Sequence, residues 1–99
     1  MMPLVLTVKS DNYVMLSGDL TFATIHKKNV QLIDFKKTQG EVVLDLTEIK
    51  NSDSAGLALL IEWMKLSKKN QAQLKFKNIP QQLLTLAKLS GFELMPSCL

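Results

Sequence analysis

The sequence predicts a single α/β domain over residues 1–99, with a mixed central sheet and the element order ββαβαβα. Three observations lead to this prediction. The chain has 99 residues, which is the size of one small domain. Apolar residues make up 46% of it and charged residues 21%, which is typical of a chain that folds around a core. Apolar runs of strand length alternate with helical patterns. This alternation predicts helical crossover connections, which make some neighbouring strands parallel.

The first half of the chain has the pattern of a hairpin followed by a helix. Aliphatic and β-branched residues at 4–8 and 13–16 flank the polar sequence Ser-Asp-Asn at 10–12, which favours a turn. From 22 to 37, apolar residues recur at helical spacing, and Gly40 ends the segment. We therefore expect two antiparallel strands and then an amphipathic helix.

The second half alternates two strands with two helices. Residues 41–46 form a short apolar run typical of a buried central strand, and a helix is expected over 54–69. Polar and apolar residues alternate at 73–77, which predicts a strand near an edge of the sheet with one face exposed to solvent. A third helix is expected over 81–90, with Gly91 as its C-cap.

The basic side chains argue against a nucleic-acid partner. All twelve are lysine, so the chain lacks the guanidinium groups that most often read base edges and clamp phosphates. Lysine pairs such as those at 27–28 and 68–69 are better interpreted as solvated helix faces. We predict that the protein does not bind nucleic acid.

The single cysteine and the short apolar runs indicate a cytoplasmic protein. Cys98 has no second cysteine with which to form an internal disulfide. The longest apolar stretch, at 55–61, is far shorter than the roughly 20 residues of a membrane-spanning helix. We therefore expect no direct insertion into a membrane.

The side chains that catalysis and metal binding require do not form a recognisable set in the sequence. His26 is the only histidine, no glycine-rich phosphate loop occurs, and Cys98 lacks a base at a plausible spacing. Asp45, Glu48 and Asp53 can meet near the end of the third strand, but turn and capping roles account for them better. We predict no enzyme activity, no cofactor and no metal.

The junction between the third strand and the second helix is the most informative segment. Asp53 and Ser54 carry short oxygen-bearing side chains at a helix start, where such groups accept hydrogen bonds from unpaired N–H groups. The junction also follows the carboxyl end of a strand, where open α/β sheets place functional groups. Ala55 and Gly56 are small enough for another protein to approach the backbone. We predict a partner-binding surface here, and phosphorylation of Ser54 would add negative charge to it.

The second helix carries apolar residues on two sides. The stripe that begins at Leu57 can face the sheet, while Leu59, Trp63 and Leu66 lie on roughly the opposite side. Either another helix of the same domain or a separate protein covers this second stripe. Leu59 and Trp63 are therefore counted, with residues 53–56, as candidate partner-binding residues.

Four segments of the chain carry a family resemblance. They are Leu-Ser-Gly-Asp-Leu at 16–20, Val-Val-Leu-Asp-Leu at 42–46, Asp-Ser-Ala-Gly-Leu-Ala-Leu-Leu at 53–60 and Thr-Leu-Ala-Lys-Leu-Ser-Gly-Phe at 85–92. Together they resemble the STAS domain family, which is shared by anti-sigma-factor antagonists and the cytoplasmic tails of sulfate transporters. Within the family, Gly-Leu-Ala-Leu-Leu at 56–60 and Leu-Thr-Leu-Ala-Lys-Leu at 84–89 are most similar to MlaB-like proteins, the small STAS subunits of ABC transporters that move phospholipid across the Gram-negative envelope.

The resemblance implies a non-catalytic regulatory subunit in the cytoplasm, peripheral to the inner membrane. Such a subunit binds and stabilises or activates the transporter ATPase, contacts the permease through it, and serves the maintenance of outer-membrane lipid asymmetry. Ser54 falls on the family's Ser/Thr position, which is phosphorylated in anti-sigma-factor antagonists. An antagonist switched by phosphorylation of Ser54 is therefore the alternative function. Many relatives carry an acid where this chain has Thr21, which argues against carrying over their kinase docking.

Overall fold

The computed structural model describes residues 2–30, 33–35 and 40–92 of the chain. They form one sheet with the strand order β1-β2-β3-β4, in which β1 is antiparallel to β2 and the other neighbours are parallel. The predicted mixed sheet and the order ββαβαβα are confirmed. The elements are β1 (Val5–Ser10), β2 (Tyr13–Leu20), α1 (Lys27–Val30), β3 (Gly40–Ser52), α2 (Ser54–Lys69), β4 (Ala72–Lys77) and α3 (Gln81–Leu89).

The hairpin forms as predicted, but β2 and β3 are longer than the apolar runs that predicted them. β2 continues to Leu20 and β3 continues to Ser52. The two extensions pair with each other, from Ser17 opposite Glu48 to Leu20 opposite Ser52. Because this ladder satisfies the backbone hydrogen bonds, the polar segment 47–52 continues β3 beyond the apolar run at 41–46 that predicted the strand.

The prediction of a helix over 22–37 is wrong for much of that range. α1 covers only Lys27–Val30, and the residues before it form a turn. In this turn the Thr24 hydroxyl donates to the Asp19 carbonyl over 2.6 Å. A hydroxyl that bonds the nearby backbone in this way competes with helix formation. Residues 33–35 are not helical, and the rest of the predicted helix lies outside the described residues.

The core lies between the sheet and two helices. α2 packs against β3 and β4, and α3 packs against α2. The side chains of β3 that face the helices are almost entirely buried, as is the aromatic side chain of α2. None of the helices described is long and apolar enough to cross a membrane. The largest fully buried side chains include Trp63, Phe76, Leu16, Leu44 and Leu60.

The last two elements match their predictions. β4 lies at an edge of the sheet, and its buried side chains alternate with exposed or half-buried ones. α3 ends where Gly91 adopts a φ of 76° and the Phe92 N–H donates to the Ala87 carbonyl over 2.9 Å. This is the hydrogen-bond pattern of a glycine C-cap.

The carboxyl ends of β2 and β3 lie side by side and position the start of α2. Leu20 pairs with Ser52, and the Asp53 N–H donates to the Leu20 carbonyl over 3.3 Å. α2 begins at the next residue, Ser54, as predicted. α3 also begins near this edge, because the Ser52 hydroxyl donates to Gln82 Oε1 over 3.3 Å. The segment after β2 and the N-terminus of α2 are therefore neighbours.

Candidate functional site

Asp53 joins the N-terminus of α2 to the segment that follows β2. Its Oδ1 accepts from the N–H groups of Ala55 (2.9 Å) and Gly56 (3.2 Å). Its Oδ2 accepts from the Phe22 N–H over 3.0 Å. The negative charge also complements the positive end of the helix dipole. The predicted cap is confirmed, and its second oxygen fixes a residue 31 positions away.

Ser54 and Ala55 lie at the surface, as the partner-binding prediction requires. Ser54 is the first residue of α2 and is exposed, and Ala55 is half-buried. The Ser54 side chain is therefore accessible to a protein partner or to a kinase.

Gly56 is buried, so the expectation that it lies at the contact surface is wrong. A Cβ built on Gly56 would lie 2.3 Å from the Leu20 carbonyl oxygen, far inside van der Waals contact. The missing side chain therefore lets α2 pack closely against the end of β2. Its role is in the packing that holds the site together.

Trp63 and Leu59 belong to the core of the domain. The interpretation that a separate protein covers the Trp63 side chain is therefore wrong. Trp63 is fully buried and Leu59 is only 3% exposed. The other interpretation, coverage within the domain, is confirmed for both residues. α2 is packed on more than one side, and so it buries a wider stripe than a helix that lies on a sheet alone.

An apolar groove lies beside Ser54, and we call it the α2 groove. Its volume is about 370 Å³, and it is open to solvent. Phe22 is 83% exposed at its lip. Four of the six lining residues are not identifiable from the sequence as parts of one site, because the groove forms between two segments that meet only in the fold. The groove is lined by Phe22, Ile25, Ala55, Ala58, Leu59 and Glu62.

The three carboxylates that can cluster on sequence grounds are separate in the structure. Asp45 lies within β3, Glu48 pairs with Lys50 over 3.7 Å, and Asp53 caps α2. The described residues contain no group of three or more His, Cys, Asp or Glu side chains that could hold a metal ion. Cys98 lies outside them.

Asp45 is the centre of a hydrogen-bonded group that sequence analysis did not identify. Its Oδ2 accepts from the Tyr13 hydroxyl (2.5 Å), and its Oδ1 accepts from the Thr47 N–H (2.9 Å) and hydroxyl (2.5 Å). Burial raises the pKa of Asp45, but the hydrogen bonds from Thr47, Tyr13 and Asn78 outweigh it and lower the pKa to about 2. The group stabilises the sheet and lies on β3 eight residues before Asp53.

The Asp19 carboxylate also accepts hydrogen bonds that hold neighbouring segments of the sheet together. Its Oδ1 accepts from Asn51 Nδ2 (2.8 Å) and its Oδ2 accepts from the Met2 N–H (3.0 Å). The hydrogen bond from Asn51, together with that from Met2, lowers the pKa of Asp19. Both oxygens are therefore engaged, which ties β2 to β3 and to the segment before β1.

The fold is that of a STAS-type α/β domain. The structure is similar to that of the anti-sigma factor antagonist SpoIIAA in its unphosphorylated form, with a TM-score of 0.62, 14% identity, and coverage of 97% of this chain and 86% of that chain. A family model described as "Mlab, STAS domain" matches residues 7–96, so the chain belongs to the STAS domain family and is similar to MlaB. No curated protein matches it significantly.

Proposed function

We propose that this chain is a non-catalytic regulatory subunit that binds the ATPase of an Mla-type ABC phospholipid transporter. It acts in the cytoplasm, peripheral to the inner membrane, where it stabilises or activates the ATPase and contacts the permease through it. The observation that carries the proposal is the α2 groove beside Ser54. The similarity to MlaB supports this choice of partner.

The residues around the α2 groove favour binding over catalysis. A large aromatic side chain that is 83% exposed beside an apolar groove is typical of an interaction site. Asp53, the acid nearest to Ser54 along the chain, already accepts three backbone hydrogen bonds. It therefore holds the backbone of the surface that we propose a partner contacts.

An anti-sigma-factor antagonist is the second candidate. The exposure of Ser54 and the likeness to SpoIIAA favour it. In this case a kinase would transfer a phosphoryl group to the Ser54 hydroxyl, and the added negative charge would change which partner binds. The two candidates predict different partners and a different mass for the peptide that contains Ser54.

A purification from native membranes distinguishes the two candidates. We would express the tagged full chain, solubilise the membranes in mild detergent, and identify the associated proteins by mass spectrometry. We expect an ABC ATPase and its permease, together with an unmodified Ser54 peptide. Recovery of a small kinase with phosphorylated Ser54 would refute the transporter role.

Two variants test whether the partner docks beside Ser54. Ser54→Arg places a long, charged side chain at the start of α2, and we expect it to lose the ATPase. Thr85→Arg is the matched control, because Thr85 is exposed on α3 and does not line the α2 groove. If Ser54→Arg retains as much ATPase as Thr85→Arg, the proposed docking surface is wrong.

A further inference from the structure

We propose that Glu62 determines which partner the α2 groove accepts, by requiring a basic side chain next to the apolar one that fills the groove. This inference rests on the proposed function and makes its docking surface more specific. The occupant is a helix of the ATPase that carries a large apolar residue and, on the same face, a lysine or arginine.

The groove selects first for an apolar side chain. Five of its six lining residues are apolar, and its volume of about 370 Å³ suits one or two large aliphatic or aromatic side chains. Phe22, at 83% exposure, would lose most of its contact with water when a partner docks. Burial of such an anchor is the usual source of affinity in protein interfaces.

Glu62 is the charged residue among those that line the groove. The carboxylate is exposed on α2, and within residues 2–30, 33–35 and 40–92 it forms no ion pair with a lysine. A partner that covers the groove removes water from Glu62. A carboxylate that loses water without gaining a cation or a donor is costly, so an entirely apolar partner surface is disfavoured.

The spacing along α2 indicates the shape of the occupant. Ala55, Ala58 and Glu62 follow one face of the helix over about two turns, or about 10 Å. A partner helix laid along this face presents residues at intervals of three, four or seven positions. Its apolar anchor then meets Phe22 and Ala58, and its basic residue meets Glu62 one to two turns away.

The experiment measures the affinity of the purified full-length chain for the ATPase obtained in the membrane purification. Isothermal titration calorimetry measures the dissociation constant of wild type, Glu62→Lys and Glu62→Gln at low and at high salt. We expect Glu62→Lys to weaken binding at least about tenfold at low salt. We expect Glu62→Gln to weaken it less and to reduce its dependence on salt, because the attraction between opposite charges is lost.

Glu41→Lys is the control for net charge. Glu41 is exposed at the start of β3, at the opposite end of that strand from α2, and the substitution changes the charge by the same amount. We expect it to bind like the wild type. Both positions are exposed, so circular dichroism should show folded proteins throughout.

The outcomes separate the two proposals. If the wild type does not bind the ATPase at all, the proposed function fails and this inference fails with it. If the wild type binds but Glu62→Lys binds as tightly as Glu41→Lys, the proposed function stands and the role of Glu62 is refuted. Selective loss in Glu62→Lys, with a weaker salt dependence in Glu62→Gln, supports both.

Discussion

The Phe22 backbone N–H donates to Asp53 Oδ2 over 3.0 Å, so the carboxylate that caps α2 also fixes the lip of the groove. The two residues are 31 positions apart in the chain and belong to segments that follow neighbouring parallel strands. This single hydrogen bond links helix capping to the shape of the α2 groove. Loss of the carboxylate therefore affects stability and binding together.

The first prediction concerns Asp53. Asp53→Ala removes the acceptor of three N–H groups, and we expect it to lower the free energy of unfolding by about 1–2 kcal/mol, the usual cost of a lost N-cap. Asp53→Asn keeps one acceptor oxygen for α2 and should cost less. Urea denaturation followed by circular dichroism measures both. Equal stability of wild type and Asp53→Ala would contradict the capping role.

The second prediction concerns Gly56. Gly56→Ala puts a methyl group 2.3 Å from the Leu20 carbonyl oxygen, and the shift needed to relieve this contact should cost about 1–3 kcal/mol. Gly91→Ala is the control, because nothing lies within 4 Å there and the cost is only that of its positive φ, about 1 kcal/mol. Thermal unfolding measures the loss of stability in Gly56→Ala and in Gly91→Ala, and we expect the larger loss in Gly56→Ala. If Gly91→Ala is the more destabilised, the close packing of α2 on β2 is not what requires Gly56.

The sequence predicts best those features that depend on neighbouring residues. A capping residue followed by an apolar run predicts α2 at 54–69, and turn residues between two aliphatic runs predict the hairpin. The helix at 22–37 had the correct apolar spacing, but the spacing does not show that the Thr24 hydroxyl bonds the Asp19 carbonyl. Such a local hydrogen bond favours a turn over the helix that the periodicity predicts.

The groove could not be predicted, because it depends on contacts between distant segments. Periodicity along α2 identifies two apolar stripes, but only the packing shows that Trp63 is enclosed while Leu59 closes the floor of a groove. Phe22 looks like a core residue in the sequence. It is exposed because the chain turns after Leu20 and does not enter a helix.

The third prediction concerns acid stability. Asp45 titrates at a pKa of about 2 in the folded protein, below its ordinary value of 3.8, so it contributes stability above about pH 4 that is lost as the pH falls toward 2. The shift corresponds to about 2 kcal/mol between pH 6 and pH 2. Asp45→Asn should lack this part of the pH dependence. Urea denaturation of wild type and Asp45→Asn at several pH values between 6 and 2 measures the free energy of unfolding. If this free energy depends on pH in the same way in both proteins, Asp45 does not contribute the acid dependence.

The fourth prediction concerns Trp63, the single tryptophan of the chain. Because Trp63 is fully buried, its fluorescence should be at short wavelength, resist quenching by iodide, and stay unchanged when the proposed ATPase partner is added. Trp63→Ala should destabilise the fold by about 3–5 kcal/mol. A red-shifted emission that iodide quenches in the free protein, and that the ATPase protects, would place Trp63 in the interface instead.

The last prediction concerns Phe22, whose side chain contributes little to the fold because it is 83% exposed. Phe22→Ser should change the free energy of unfolding by no more than about 0.5 kcal/mol, as is usual for exposed positions. Its affinity for the ATPase should fall at least about tenfold, since an aromatic anchor is removed from the groove. Leu89→Ser is the matched control: Leu89 is 80% exposed on α3 and does not line the groove, so binding should be retained. Isothermal titration calorimetry measures the affinity of both variants for the ATPase. Equal affinities of Phe22→Ser and Leu89→Ser would show that the partner does not cover the lip of the groove.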